Sequence, residues 1–229
     1  MVKILNTIHE DYHMHSLNYS DGMNTIDEIV KYANEIWLKK ITITDHSQFV
    51  IDKNNLAFRN RRSHTRRRKN IHNDIEVVFG VEWDLMDEEG NCCFDIQGIE
   101  PDFCILSCHP EVYKWDLKNI TQAYINAIHK YHDKIKFIWH ICKKNSCQYL
   151  DIEAIAKVLN QYQIPIELNC ANLLIDNVTD KEKLHQILPM IEAGVYVNSD
   201  MHMLSDFSFR QAGFDYLKDI LKPQKTNEI

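Results

Sequence analysis

The sequence predicts an α/β fold in which parallel strands alternate with helices. Short apolar runs alternate with segments of helical period almost from end to end of the 229 residues. Seven strands are recognised in this way, most of them followed by a helix. This alternation is typical of parallel strands joined by right-handed crossovers. It fits a closed barrel or an open doubly wound sheet, and no glycine-rich nucleotide-binding motif follows any strand.

Each element has its own local signature. The segment from Ile26 to Leu38 places Ile29, Val30 and Ala33 on one face of a predicted helix. A hairpin-like insert is predicted to turn at "DEEGN", residues 87–91. The predicted strands cover residues 7–14, 41–44, 75–81, 103–108, 135–139, 164–168 and 194–198. The predicted helices cover residues 26–38, 55–70, 116–131, 151–162, 180–192 and 211–221.

The composition favours one domain with one core. The chain is 45% hydrophobic and contains only 6 Gly and 5 Pro, which leaves little room for linkers, so residues 1–229 are predicted to form a single domain. A net charge of −7 argues against nucleic-acid binding over the whole surface. We see no signal peptide and no apolar run of membrane-spanning length, so we expect a cytoplasmic protein.

The seven cysteines indicate neither a disulfide framework nor a structural zinc ribbon. Their number is odd, and their spacing contains no C-x-x-C. Most of them are therefore interpreted as small buried hydrophobic residues. Partly exposed thiols at Cys142 and Cys147 are the alternative.

One segment departs from the acidic average of the chain. Residues 59–69, "RNRRSHTRRRK", carry seven positive charges and no acid. This segment is interpreted as a solvated helix face, as an anion-attracting wall beside the site, or as a nucleic-acid or localisation patch.

Polar side chains that can bind metals follow every predicted strand. In the first strand, Asp11, His13 and His15 recur with a period of two and therefore lie on one side. In a barrel, the carboxyl ends of the strands converge on one face, where catalytic residues are found. The polar groups at the later strand ends are Asp45, His46, Glu82, His109, His140, Glu167, Asn169, Asp200 and His202.

Convergence of these groups favours a metal site over isolated polar residues. One histidine at a strand end is ordinarily a satisfied rim residue, and twelve histidines make one chance H-x-H unsurprising. The six histidines and the carboxylates beside them would each need a separate partner, at a cost of about 1–3 kcal/mol for each unsatisfied group. Divalent cations would satisfy all of them at once. Mixed imidazole and carboxylate ligation suits Zn, Mn or Fe better than Mg or Ca.

The motifs resemble those of the polymerase and histidinol phosphatase (PHP) superfamily. The segments "DYHMHS" with "SDG", "ITDH", "GVE", "ILSCH", "WH", "IELN" and "NSDMH" are similar to its motif set and occur in its order. The resemblance implies a distorted seven-stranded (β/α)7 barrel of the TIM-like type. It also implies hydrolysis of a phosphoester by a metal-bound hydroxide at a centre of two or three divalent ions.

Carried over by position, the resemblance implies nine metal ligands in three groups. The first metal would be held by His13, His15, Glu82 and Asp200. Glu82 would bridge to a second metal, which His109 and His140 would also hold. The third metal would be held by Asp21, His46 and His202.

Five further residues are predicted to support the chemistry. Asp11 and Asp45 are assigned to proton transfer or to fixing the tautomer of a ligand imidazole. Asn169 is assigned to the pocket wall or to a metal-bound water. A phosphate group needs a cation besides the metals. Arg62 and Arg210 are preferred for this role over Arg59, Arg61, Lys143 and Lys144.

The leading hypothesis is a metal-dependent phosphomonoesterase, resembling histidinol phosphatases, that acts on a small phosphorylated substrate. A phosphodiesterase or exonuclease acting on nucleic-acid ends is the alternative enzyme, and only the basic segment specifically supports it. A non-catalytic metal-binding barrel is the third possibility, although the chain shows no loss of expected ligands. No membrane association is predicted, and the oligomeric state is left open.

Overall fold

A computed structural model describes residues 2–56, 74–109 and 112–221. The strands are β1 (Glu10–Asp11), β2 (Lys40–His46), β3 (Glu76–Leu85), β4 (Cys92–Cys93), β5 (Phe103–Ser107), β6 (Ile135–Ile138), β7 (Ile166–Asn169) and β8 (Val195–Asn198). Seven of them are parallel neighbours in the order β1-β2-β3-β5-β6-β7-β8, and β4 pairs antiparallel with β3. They form a nearly closed barrel, so the predicted seven-stranded α/β barrel is confirmed, as is the predicted hairpin.

The barrel closes between the two ends of the chain. Isolated parallel bridges join Ile4 to Val195 and Met14 to Met201, and the His15 N–H donates to the Met201 carbonyl at 2.8 Å. Isolated bridges do not form a continuous strand, so only two residues at the start of the chain, those of β1, have regular strand geometry. The first strand is therefore shorter than the predicted range of 7–14.

The helices lie between consecutive strands and after the last one. They are α1 (Ile26–Glu35), α2 (Gln48–Lys53), α3 (Ile120–Tyr131), α4 (Lys144–Cys147), α5 (Ile152–Tyr162), α6 (Cys170–Leu174), α7 (Lys181–Ile187) and α8 (Phe209–Leu221). Five predicted helices are confirmed as α1, α3, α5, α7 and α8. The predicted helix at 55–70 falls almost wholly outside the described residues. Helices α2, α4 and α6 were missed because each is too short to show a helical period in the sequence.

Local signals explain where the helices begin. Thr25 forms a capping box with Glu28: the Glu28 N–H donates to the Thr25 hydroxyl at 3.3 Å, and the Thr25 N–H donates to the Glu28 carboxylate at 2.8 Å. Asp151 caps α5 by accepting from the Ala154 N–H at 3.0 Å. No described helix has both the length and the apolar character needed to cross a membrane.

A small cluster of apolar side chains supports the site from inside the barrel. Ile105, Phe137 and Trp139 form a small buried cluster there. The Trp139 ring contacts the His13 ring edge-on, with the centroids 4.4 Å apart, and lies 5.5 Å from the His109 ring. This cluster therefore holds two imidazoles by aromatic contact.

The cysteines are mostly interior residues, as predicted. Six of the seven are buried, and Cys93 is half-buried. Cys142 and Cys147 are only 6% and 0% exposed, so the alternative of partly exposed thiols is wrong. Both lie at or near α4, where their side chains belong to the main hydrophobic core.

Candidate metal centre

Strand register brings the polar side chains together at one end of the barrel. His46 of β2 is aligned with Glu82 of β3, and Asn169 of β7 is aligned with Asn198 of β8. The described residues contain three groups of possible metal ligands, and within each group the ligand atoms lie within 4.8 Å of one another. The groups are His13, His15 and Asp200; His46, Glu82 and His109; and His15, Asp21, His46 and His202.

Glu82 lies at the middle of these groups. Its Oε1 is 3.2 Å from His109 Nε2, and its Oε2 is 3.0 Å from His46 Nδ1. Oε2 is also 3.4 Å from His15 Nε2 and 3.8 Å from His13 Nε2. Both carboxylate oxygens are buried, yet neither makes a hydrogen bond. The atoms are close, but their directions do not suit hydrogen bonds between them.

Asp200 has the same character. Its Oδ1 lies 3.3 Å from His13 Nε2 and 3.2 Å from His15 Nε2, and it too is buried without a hydrogen bond. The two Nε2 atoms are 3.2 Å from each other. Buried carboxylate oxygens without donors are costly, and facing imidazole nitrogens resemble the donor set of a divalent cation. These residues therefore fit a bound metal.

The third group is the open edge of the site. Asp21 Oδ1 lies 3.4 Å from His46 Nε2 and 3.3 Å from His202 Nε2. The side chains of Asp21 and His202 are 45% and 35% exposed, whereas those of His13 and His15 are fully buried. Solvent therefore reaches the cluster at this edge.

A close turn positions Asp21. A Cβ added at Gly22 would lie 2.1 Å from the carbonyl oxygen of His15, so the loop can fold back on the strand only with glycine there. Asp45 holds the same loop: its carboxylate accepts from the Ser16 N–H at 2.6 Å and from the Ser16 hydroxyl at 2.8 Å. Gly22 of the "SDG" motif is thus a geometric requirement of the loop.

Two of the predicted ligands have strained backbones. His140 and Asp200 have φ values of 56° and 54°, in the left-handed region that costs non-glycine residues about 1–3 kcal/mol. Each of them lies two residues after the last residue of a barrel strand, β6 or β8. Strain of this kind is concentrated at functional sites, where surrounding contacts enforce it.

His140 is the predicted ligand that belongs to none of the three groups of described ligand atoms. Its ring centroid is 5.7 Å from that of His109, and the Asn172 amide lies 2.5 Å from its Nδ1. Burial, with Lys143 contributing, holds the pKa of His140 well below its usual range despite the nearby Asp200 carboxylate. The imidazole is therefore neutral at neutral pH.

Two carboxylates that were not predicted as site residues orient the ligand imidazoles. His13 Nδ1 donates to Glu167 Oε1 at 3.0 Å, and His109 Nδ1 donates to Asp84 Oδ1 at 2.6 Å. Since a carboxylate only accepts, each contact places the proton on Nδ1 and leaves Nε2 free for a metal. The Ser47 hydroxyl in turn donates to Asp84 at 2.5 Å. The sequence could have indicated both carboxylates, because side chains two residues apart in a strand lie on the same side. Asp84 lies two residues after Glu82, and Glu167 lies two residues before Asn169.

The residues predicted for catalysis hold the chain around the clusters. Asp11 is fully buried and accepts from the N–H groups of His13 at 3.3 Å and Ser199 at 3.2 Å, which links both sides of the seam. Burial raises its pKa, although Arg210 opposes this effect. Asn169 donates to Asp200 Oδ2 at 3.0 Å. The tautomer-fixing contacts expected of Asp11 and Asp45 are thus supplied by other carboxylates.

The site electrostatics keep the central carboxylate, Glu82, ionised. Burial alone raises the pKa of Glu82, but the His109 and His46 imidazoles outweigh it and hold that pKa well below its usual range. Burial lowers the pKa of His15 to about 4, assisted by His202 and His46. Glu82 is therefore a carboxylate and His15 a neutral imidazole at neutral pH, as metal ligation requires.

Other imidazoles hold protons more tightly than usual. Burial disfavours the charged form of His13, but the Glu167 and Asp200 carboxylates raise its pKa well above the usual value. Burial likewise opposes protonation of His202, yet Asp21 and Asp200 raise its pKa to about 9. A cation must displace these protons to bind.

Comparison with known proteins identifies the family. The profile of the PHP domain matches residues 11–171. The chain belongs to the PHP domain family. A probable phosphatase of Caldanaerobacter subterraneus is 28% identical over 226 residues, covering 94% of this chain and 84% of its own length. A probable phosphatase of Escherichia fergusonii is 24% identical over 198 residues, covering 84% and 78% of the two chains.

A solved structure has the same barrel. It is histidinol phosphate phosphatase from Lactococcus lactis, complexed with zinc, L-histidinol and phosphate. Its TM-score is 0.58 at 12% identity, and the match covers 93% of this chain and 94% of the other. The prediction of a PHP-type phosphatase, a hydrolase, is confirmed at the level of family and enzyme class.

Of the two predicted phosphate-binding arginines, the described residues include only Arg210, which does not lie at the site. Arg210 of this PHP domain is only 2% exposed. Its guanidinium donates to the Ile8 carbonyl, and its Nε lies 3.6 Å from Asp11 Oδ2. Because the charge of Arg210 faces a buried carboxylate, its position does not fit substrate binding. Arg62, together with the basic segment at 59–69, lies outside the described residues.

Replacing Asp84 tests whether it orients His109. Asp84→Asn keeps the side-chain size but removes the charge opposite His109 Nδ1, so we expect the affinity for Mn²⁺ to fall about 10–100-fold. Isothermal titration calorimetry measures this affinity. Glu89→Ala, an exposed acid in the adjacent hairpin turn, is the control and should bind like the wild type. Equal affinities in Asp84→Asn and wild type would contradict the orienting role.

Proton displacement predicts how metal binding depends on pH. The raised pKa values of His13 and His202 mean that acidic conditions load these groups with protons, so Mn²⁺ affinity should rise with pH. We expect about a tenfold change per pH unit for each displaced proton. Titrations at one pH in two buffers of different ionisation enthalpy count the protons released. Identical heats in both buffers, with an affinity independent of pH, would show that no proton is displaced.

Proposed function

We propose that this PHP domain is a metal-dependent phosphomonoesterase that hydrolyses a small phosphorylated substrate with two or three divalent cations. The observation that carries the proposal is the set of buried, unbonded carboxylate oxygens on Glu82 and Asp200, surrounded by imidazole nitrogens at 3.0–3.4 Å. A dianionic phosphate group needs positive charge at its binding place, and the chain supplies ligands for that charge.

The donor set suggests how the cations would be distributed. His13, His15 and Asp200 would hold one ion, and His46 and His109 a second, with Glu82 between them. Asp21 and His202 would complete a third position at the open edge. Imidazole and carboxylate donors favour Zn, Mn or Fe. Such ions, when bound, neutralise phosphate charge and acidify a coordinated water.

The chain's own groups would prepare the site for this chemistry. Glu167 and Asp84 fix the tautomers of His13 and His109, while their Nε2 atoms face the carboxylates of Asp200 and Glu82. Asn169 holds Asp200 through its second carboxylate oxygen. Rigid orientation of ligands lowers the reorganisation needed during the reaction.

Lys143 is the cation that we propose binds the phosphate group. It lines the same cavity as His140, Asn169 and Asn172, and its charge contributes to the lowered pKa of His140. Lysine binds phosphate as a mobile point charge. We therefore assign to Lys143 the role first predicted for Arg210.

A substrate screen tests the proposed function. Metal-free protein reloaded with Mn²⁺, Zn²⁺ or Fe²⁺ is assayed on a panel of small phosphomonoesters and on single-stranded oligonucleotides. We expect monoester hydrolysis that is lost with a chelator and restored by metal, and little release of nucleotides. His13→Ala, which removes a ligand of the deepest group, should lower kcat by about a hundredfold or more. Hydrolysis of oligonucleotides alone would favour the exonuclease alternative, and no hydrolysis of either would favour a non-catalytic domain.

A second experiment tests Lys143. Lys143→Met removes one charged hydrogen-bond donor, worth about 1.4 kcal/mol, so we expect about a tenfold rise in KM for a phosphomonoester. Lys144→Met is the matched control, because the neighbouring Lys144 is exposed and donates to Asn177 Oδ1 at 3.2 Å. An unchanged KM in Lys143→Met, or equal effects of the two substitutions, would remove Lys143 from the phosphate site.

A further inference from the structure

We propose that the alcohol part of the substrate is apolar and is recognised by an apolar rim formed by Leu17, Met23 and Met203. This inference rests on the proposed phosphomonoesterase function and names the class of ester that the site accepts. The chemistry is unchanged: water attacks phosphorus, the P–O bond to the alcohol breaks, and the alcohol leaves with a proton. The rim selects which alcohol is attached.

The exposed apolar side chains are distributed unevenly. Among the described residues, ten large hydrophobic side chains are exposed. Seven of these lie in segments that follow the carboxyl ends of barrel strands, on the face of the metal clusters. The remaining three, Ile8, Trp37 and Met190, lie before strands or at the opposite ends of helices. Single exposed apolar residues are ordinary, but their concentration around a site indicates a binding surface.

Three of the seven adjoin the open edge of the clusters. The N–H of Met23 donates to the His202 carbonyl at 2.7 Å, and Met203 directly follows His202. The N–H of Leu17 donates to the Asn24 carbonyl at 2.8 Å. Exposure of Leu17, Met23 and Met203 is 51%, 66% and 45%. Met23 is therefore tied to His202, a residue of the third group, by a main-chain hydrogen bond, and Met203 is tied to it by the chain itself.

Access to the clusters determines where the alcohol part must lie. The ligands of the first two groups are almost completely buried, and only Asp21 and His202 are substantially exposed. A phosphate that reaches the buried groups from this edge leaves the rest of the ester beside Asp21 and His202. Leu17, Met23 and Met203 are the exposed apolar residues of the two segments that carry Asp21 and His202.

The chemistry of the rim favours an alkyl or aryl group over a polyol. Leucine and methionine side chains offer no hydrogen-bond donor, so hydroxyl groups placed against them lose water without compensation. Methionine is flexible and polarisable, and adapts to aliphatic and aromatic surfaces. Each methylene group transferred from water to such a surface is worth up to about fourfold in affinity.

The test compares esters that differ in the polarity of the alcohol. Hexyl phosphate and glycerol 3-phosphate are both primary alkyl monoesters, so the bond broken is similar. We expect kcat/KM of the metal-loaded wild type to be about tenfold or more higher for hexyl phosphate. Met23→Gln and Met203→Gln keep side-chain length but add a polar group, and each should lower kcat/KM for hexyl phosphate about threefold to tenfold. Neither should change the value for glycerol 3-phosphate by more than about twofold.

Trp37→Gln is the matched control. Trp37 is 72% exposed but lies between α1 and β2, at the other end of the barrel, so both esters should be hydrolysed as by the wild type. A second measurement needs no variant: hexylphosphonate should inhibit the wild type competitively with an inhibition constant at least about tenfold below that of methylphosphonate.

The outcomes separate this inference from the function on which it rests. Hydrolysis of both esters with equal kcat/KM, or a preference for glycerol 3-phosphate, would overturn the apolar rim and leave the phosphomonoesterase intact. Equal inhibition by the two phosphonates would also overturn it, as would a Trp37→Gln effect as large as that of Met23→Gln. If the metal-loaded protein hydrolyses no phosphomonoester, the proposed function and this inference both fail.

Discussion

The structure depends on a carboxylate that is buried without a hydrogen-bond donor. Glu82 is fully buried, and its oxygens face the nitrogens of His13, His15, His46 and His109. In a barrel interior such an anion is costly unless positive charge compensates it. The imidazoles supply some of that charge as protons, and divalent cations would supply more of it. The surrounding residues therefore have to satisfy electrostatic requirements as well as packing.

The barrel meets these requirements with a rigid surround. Trp139 contacts the rings of His13 and His109 from inside the barrel, while the carboxylates of Glu167 and Asp84 fix those rings at Nδ1. The strained backbones of the residues after β6 and β8 persist because packing and hydrogen bonds hold them. The strained backbones lower the stability of the fold but hold the predicted ligands in place, as is common at functional sites.

Sequence reasoning predicted that these side chains converge because the alternation of side chains along a strand and the position of a strand end are local properties. His13 and His15 share a side of one strand, and the ends of parallel strands meet, so their convergence follows from the fold class. The contacts of Glu167 and Asp84 were missed because they depend on ring orientation across strands. Arg210 was misplaced for a similar reason: its position after the last motif does not show which way the first turn of α8 faces. The short helices carry too few residues for a periodic signal.

The seam of the barrel has a consequence for assembly. Ile4 and Met14 come from the beginning of the chain, and Val195 and Met201 from near its end, yet they form the bridges that complete the barrel. Closing so long a loop is entropically expensive and slows folding. The first group of ligands crosses this seam, with two histidines on one side and Asp200 on the other. An ion bound there would link the two sides of the seam. The stability of the closed barrel would then depend on the supply of metal.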